Sequence, residues 1–215
     1  MTLTGGEGTL RASSKAMRRH DMTTRTFTGL DRFWTFLRIA PWIGSVGLLI
    51  LPAVAMQFTD EVQWTAFDFA VAGAMLFICC SLWELGFRLS DSAAYRMGLG
   101  IAVGAALVTL WVNGAVGVIG DEDNPANLMF VAVLAMGVAG AFVANFKAAG
   151  MARAMTATAA AQALVGVIAF AGRTGSEAGN WMQVIVVFTL VMCTAWMLSA
   201  WLFRQAAGDQ TRAAD

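Results

Sequence analysis

The chain has 215 residues, 58% of them hydrophobic and 13% charged, and its 14 basic and 14 acidic residues cancel at neutral pH. A soluble domain carries roughly 25% charged residues, so this composition excludes an ordinary water-soluble globule and points to an all-α integral membrane protein. No uncompensated basic face remains for nucleic acid, and no nucleic-acid partner is expected.

Residues 1–30 are rich in Thr, Ser, Gly and Arg and have no apolar period, which predicts a mobile cytoplasmic tail. Arg18 and Arg19 belong to that basic tail rather than to an export signal, since no apolar stretch follows promptly. Asp31 then caps the aromatic stretch Arg32-Phe-Trp-Thr-Phe-Leu37, which predicts a short interfacial helix, with Pro41 marking the bend into the membrane. Six apolar runs follow, at 39–58, 67–87, 97–119, 128–146, 154–172 and 181–203. Each reaches the length of about 20 residues that crosses roughly 30 Å of hydrocarbon. They define a transmembrane domain over 31–204, followed by a cytoplasmic C-terminal tail at 205–215. Pro52 is expected to kink the first span. Ala53-Val54-Ala55 is a small-x-small cleavage pattern, but the run is as long as a spanning helix, so an uncleaved anchor is expected.

Alternation of the spans sorts the cations. Every Lys and Arg except Arg173 falls on the side of the two termini, while Asp60, Glu61, Asp121, Glu122, Asp123 and Glu177 fall on the other. This is the positive-inside pattern, with both termini cytoplasmic. Trp64 and Trp181 stand at the expected outer boundary and Trp34, Trp83 and Trp201 near the inner one, where a half-solvated indole is favoured.

Three blocks carry a resemblance: Met56-Gln-Phe-Thr-Asp-Glu-Val-Gln-Trp-Thr-Ala-Phe-Asp-Phe69, Gly117-Val-Ile-Gly-Asp-Glu-Asp-Asn-Pro-Ala-Asn127, and Gly150-Met-Ala-Arg-Ala-Met155 followed by Ala161-Gln162. Over roughly residues 39–172 the chain resembles a group of small multi-pass proteobacterial inner-membrane proteins without an assigned activity. The resemblance implies a bacterial inner-membrane location and supports the helix count. It brings no catalytic residue. Within the chain, Arg96 leads to Ala106-Leu107-Val108 and Arg153 to Ala163-Leu164-Val165 at the same offset, which suggests that the second–third and fourth–fifth hairpins are related units in one orientation.

The residues also exclude several chemistries. The only histidine is His20, in the tail, so haem ligation by paired histidines, a di-iron cluster and a zinc protease motif lack their imidazoles. No span holds a lysine for a Schiff base. There is no phosphate-binding glycine loop and no Gly-x-Ser-x-Gly turn. Cys79, Cys80 and Cys193 lie within spans and read as packing residues; the adjacent pair points about 100° apart on a helix, which disfavours a shared metal. No enzyme activity, metal or cofactor is expected.

Polar residues within spans are the functional candidates, because burying them in lipid is costly. Glu84 is foremost, with Arg88 at i+4: either an ion pair at the inner rim, the preferred reading, or a proton or cation site. Asp68 complements the start of the second helix. Asn113 lies roughly 9 Å inside the third span and calls for a partner on another helix. Gln162, about 12 Å inside the fifth span, can bridge helices or line a narrow pore. Asp121, Glu122 and Asp123 form an outer acidic turn; Gly120 fits a helix C-cap, Asn124 an N-cap and Pro125 the first helical position, so a tight turn explains it better than calcium. Gly100, Gly104, Gly114, Gly117, Gly137 and Gly140 are expected to let backbones approach, within the chain or in a homo-oligomer. Two functions fit: a non-catalytic accessory or organising subunit of a membrane complex, preferred, or a small transporter or channel for a proton, cation or polar solute.

Overall fold

A computed structural model of the protein describes residues 32–173 and 179–212. The tail over 1–30, Asp31, Glu177 and the last three residues lie outside the described residues. All regular structure among the described residues is helical, and six helices are long and apolar enough to cross a membrane. The chain divides into two units, 1–59 and 60–215.

In the first unit, α1 runs without interruption over Arg32–Ala55. Pro41 lies inside it, so the aromatic stretch and the first apolar run form one helix, and no separate interfacial helix is distinguished. Its end tightens into a turn in which Gln57 N–H donates to Val54 O (3.0 Å) and Phe58 N–H to Ala55 O (2.9 Å), using carbonyls that the helix leaves free.

The second unit holds α2 (Ala66–Leu89), α3 (Ala93–Ala115), α4 (Leu128–Val143), α5 (Ala148–Ala171) and α6 (Trp181–Arg212). The α2–α3 turn is fixed by side chains. Ser92 caps α3 by accepting from Tyr95 N–H, while Arg96 donates to Ser90 O (2.8 Å), pairs with Asp91 (2.9 Å) and lies 4.5 Å from the centre of the Phe87 ring. The other basic-end turn, between α4 and α5, takes the left-handed region at Asn145 (φ 48°) and Phe146 (φ 57°). Such angles are unfavourable for a bulky residue, and two bonds hold them: Phe146 N–H donates to Ala141 O (3.1 Å), and its carbonyl accepts from the buried Tyr95 hydroxyl (2.7 Å).

Several boundaries differ from the sequence expectation: α3 and α5 begin earlier, at Ala93 and Ala148, and three ends differ. The third span does not continue to Ile119: α3 stops at Ala115, and Gly117 (φ 70°) reverses the chain so closely that a Cβ there would collide with the Asp121 backbone. Gly117, rather than Gly120, therefore supplies the left-handed residue after the helix. Val118 and Ile119 fold back to pack with Phe130, Val133, Val165, Ala169 and Ile185. The fourth span ends at Val143, before the left-handed turn. α6 continues to Arg212 through residues assigned to the C-terminal tail, because Arg, Gln and Ala favour helix and Ala206 and Ala207 pack into the core beside Ala148 and Phe203.

α6 lies between α3 and α5, α4 packs on α5, and α2 packs on α3. Close approach sets the seams. A Cβ on Gly140 would sit 2.8 Å from the Ala154 Cβ, and one on Gly137 would sit 3.1 Å from Thr158 Oγ1. Gly100 faces Trp83 with no room for a Cβ, whereas Gly104 and Gly114 have nothing within 4 Å among the described residues. The bond from Ser199 Oγ to Gly98 O (2.7 Å) ties α6 to α3. α3 and α5, the second helices of the two hairpins with matching offsets, are both antiparallel to α6.

Gly140→Leu should therefore separate α4 from α5 and destabilise the protein by about 1–3 kcal/mol, while Gly104→Ala, in open space within a helix, should stabilise it by up to about 1 kcal/mol. Thermal unfolding in detergent compares the two.

Candidate intramembrane polar site

The structure separates the four candidate residues into two pairs with different surroundings. Asp68 is bound up in the start of its helix. Its carboxylate accepts from Thr65 N–H (2.7 Å) and Thr65 Oγ1 (2.8 Å), and Thr65 Oγ1 accepts in return from Asp68 N–H (3.4 Å), a reciprocal capping box. Every acceptor direction it uses serves the helix end. Glu84 stands on the last turns of α2, with Arg88 Nε 3.8 Å from its Oε1; the Glu84 side chain is 19% exposed and that of Arg88 72%. The separation is long for a hydrogen bond, and the exposed guanidinium makes this a rim ion pair.

Asn113, partly buried, and Gln162, in the core, are not satisfied as their types require. Asn113 Nδ2 donates to Thr109 O on its own helix (2.7 Å) rather than across to another, and its buried Oδ1 has no partner. Gln162 is completely buried, and neither Nε2 nor Oε1 forms a hydrogen bond. An expected helix bridge through Gln162 is therefore absent from this arrangement. On α6, Thr189 Oγ1 and the Trp196 indole N–H are buried without partners as well.

Packing places Gln162 and Thr189 along one seam, between α5 and α6. Ala159 O meets Cys193 Sγ at 3.5 Å, and a Cβ on Gly166 would strike Thr189. Gln162 is one turn from both Ala159 and Gly166 on that face of α5, so its side chain enters the α5–α6 contact at the level between Thr189 and Cys193. Thr109 reaches the same level from α3, with Oγ1 3.5 Å from Met192 Sδ. Thr158, one turn nearer the basic end, satisfies its hydroxyl on Ala154 O (2.9 Å). The seam is thus lined with hydroxyl, amide and indole groups and no charge, and its chemistry is hydrogen bonding to a neutral partner.

At the acidic end the organising residue is Asn127, which sequence reading did not single out. Its Oδ1 accepts from Val118 N–H (3.1 Å) and Ile119 N–H (2.9 Å), and its Nδ2 donates to Asp121 O (2.7 Å). One buried amide thereby supplies the backbone partners for the loop that packs Ile119 into the core. Asn124 accepts from Ala126 N–H (3.0 Å) and Pro125 opens the single 3-10 turn Pro125–Asn127, as the sequence suggested. Asp121, Glu122 and Asp123 point outward from this framework and are exposed. Thr189, Trp196 and Tyr95 also went unremarked. Thr189 and Trp196 belong to an α6 stretch whose surrounding residues are almost wholly apolar, and Tyr95 lies two residues outside the expected third span.

None of the three cysteines is in a disulfide; Cys80 is buried and the others are partly buried. Among the described residues no group of three His, Cys, Asp or Glu side chains is gathered closely enough to hold a metal.

Replacing Gln162 by Met keeps its length and removes two unsatisfied groups. Since a buried unpaired polar group costs about 1–3 kcal/mol, Gln162→Met should raise the thermal midpoint in detergent; a fall would mean that the amide is hydrogen-bonded in the protein in solution. Comparisons of the chain with family models, curated proteins and solved structures found no match.

Proposed function

We propose that the protein is a non-catalytic, multi-pass component of a bacterial inner membrane that acts as an accessory or organising subunit of a membrane complex. The carrying observation is that the polar side chains buried in the described core, Thr109, Asn127, Thr158, Gln162 and Ser199, are all uncharged. Coupled transport of protons or cations uses ionisable groups near the middle of the membrane, whereas the ion pair of α2 is Glu84–Arg88 at its end. The sorting of cations to one side and the likeness to proteobacterial inner-membrane proteins favour this membrane, with the basic end and both termini in the cytoplasm.

A second reading is conduction of a small neutral polar solute along the α5–α6 seam. The unpaired atoms of Gln162, Thr189 and Trp196 on these two helices favour it. Reconstitution in liposomes tests both. Wild-type protein and Glu84→Gln should pass protons and potassium no faster than protein-free vesicles. A flux abolished by Glu84→Gln would overturn the accessory role, and a neutral-solute flux abolished by Gln162→Met would establish the second reading in its place.

A further inference from the structure

At the basic end of the bundle two arginines from different helices share one strip of α5. Ala149, Arg153 and Thr156 follow one another at helical spacing on one face. Arg153 leans back along it, with Nε 3.4 Å from Ala149 O. Arg204 reaches the strip from α6, where its Nη2 donates to Thr156 Oγ1 (3.2 Å). That hydroxyl is itself anchored by donating to Ala152 O (2.8 Å).

The direction of Arg204 matters. Side chains tilt toward the N-terminus of their helix, and α6 enters this end with its N-terminus at the opposite one. Arg204 therefore points back toward the apolar part of the bundle, and Thr156 holds it there instead of letting it extend outward to water. Arg153, on an antiparallel helix, tilts the other way. Both arginines thus bond to one strip of α5, Arg153 back toward Ala149 and Arg204 at Thr156, where the apolar stretches of α5 and α6 give way to polar residues. Neither forms an ion pair among the described residues, and Asp209, the nearest acid further along α6, pairs with neither.

Two cations on one strip without an acid between them repel, and more strongly at the edge of hydrocarbon than in bulk water. An anion at the same depth relieves that repulsion, and guanidinium matches the geometry of phosphate oxygens. In a bilayer the anion fixed at this depth is a lipid headgroup. We propose that Arg153 and Arg204, the latter positioned by the Thr156 hydroxyl, form a binding site for the phosphate of an anionic phospholipid. The proposal rests on the helices spanning a bilayer and is independent of the accessory role.

The test is native mass spectrometry of the full chain released from nanodiscs of equal phosphatidylglycerol and phosphatidylcholine. At one favourable lipid contact per arginine, about a thirtyfold excess of retained phosphatidylglycerol is expected. Arg153→Gln/Arg204→Gln should bring the ratio near unity, Arg153→Lys/Arg204→Lys should keep part of it, and Arg173→Gln at the other end should keep all of it. Thr156→Val should reduce the preference while leaving both charges. No excess in the wild type, or an excess unchanged in the double Gln variant, overturns the site. Inorganic phosphate should not displace the lipid; full displacement would identify a free-phosphate site and contradict the lipid assignment. If the Gln variant fails to fold, the Lys and Thr156→Val variants decide by the same ratio.

Discussion

Within hydrocarbon, apolar side chains gain nothing by leaving lipid for one another, so the second unit depends on how closely backbones can approach α5. This helix presents Ala148, Ala152, Ala154, Ala159 and Gly166 to its neighbours, with glycines opposing it on α4. Small surfaces on both sides of each seam gather dispersion contacts along the helix length that a leucine-rich face would lose to spacing. α6 then follows α5 on one side and α3 on the other, and α2 is held at the margin by its contact with α3. Antiparallel order is imposed by the short turns, which leave no chain to cross between opposite ends.

The same environment decides how the turns are built. Hydrocarbon cannot satisfy a free N–H or carbonyl, and at three places where the helix pattern breaks a side chain replaces the missing bonds. Asn127 serves the loop after α3, Tyr95 serves the left-handed turn before α5, and Thr65 with Asp68 serves the start of α2. Each of these groups is spent on the backbone. Against that economy the amide of Gln162, wholly enclosed and bonded to nothing, stands apart. It separates the two functional readings, because the same amide is either a tolerated defect in a scaffold or the floor of a passage for a neutral solute.

The helix count and approximate limits were legible in the sequence because a spanning helix needs a long apolar run and little else. The end of α3 was not legible: Val116, Val118 and Ile119 continue the apolar character past the helix, and only the left-handed backbone of Gly117 marks the break. Likewise the end of α6 was hidden by polarity, since Arg204 and Gln205 look like the start of a tail although the helix proceeds through them. Among the polar candidates, Asp68 and Glu84 could be read from spacing alone, as their partners lie three or four residues away. The surroundings of Gln162 depend on which helices face it, and that information sits in the register between α5 and α6 rather than in any local pattern. Asn127 carried a faint signal, an amide beside a proline-initiated turn, but its four-residue distance from the acids drew no connection to Val118.

The account stands on a bilayer around these helices with the arginine-bearing turns on its cytoplasmic face. Labelling of intact bacterial cells with a membrane-impermeant maleimide tests this most directly, using single cysteines introduced as Glu122→Cys and Ala149→Cys in a chain whose own cysteines have been changed to alanine. Position 122 should react in intact cells and position 149 only after the membrane is opened. Reaction at 149 in intact cells with protection at 122, or equal reaction at both, would contradict the account.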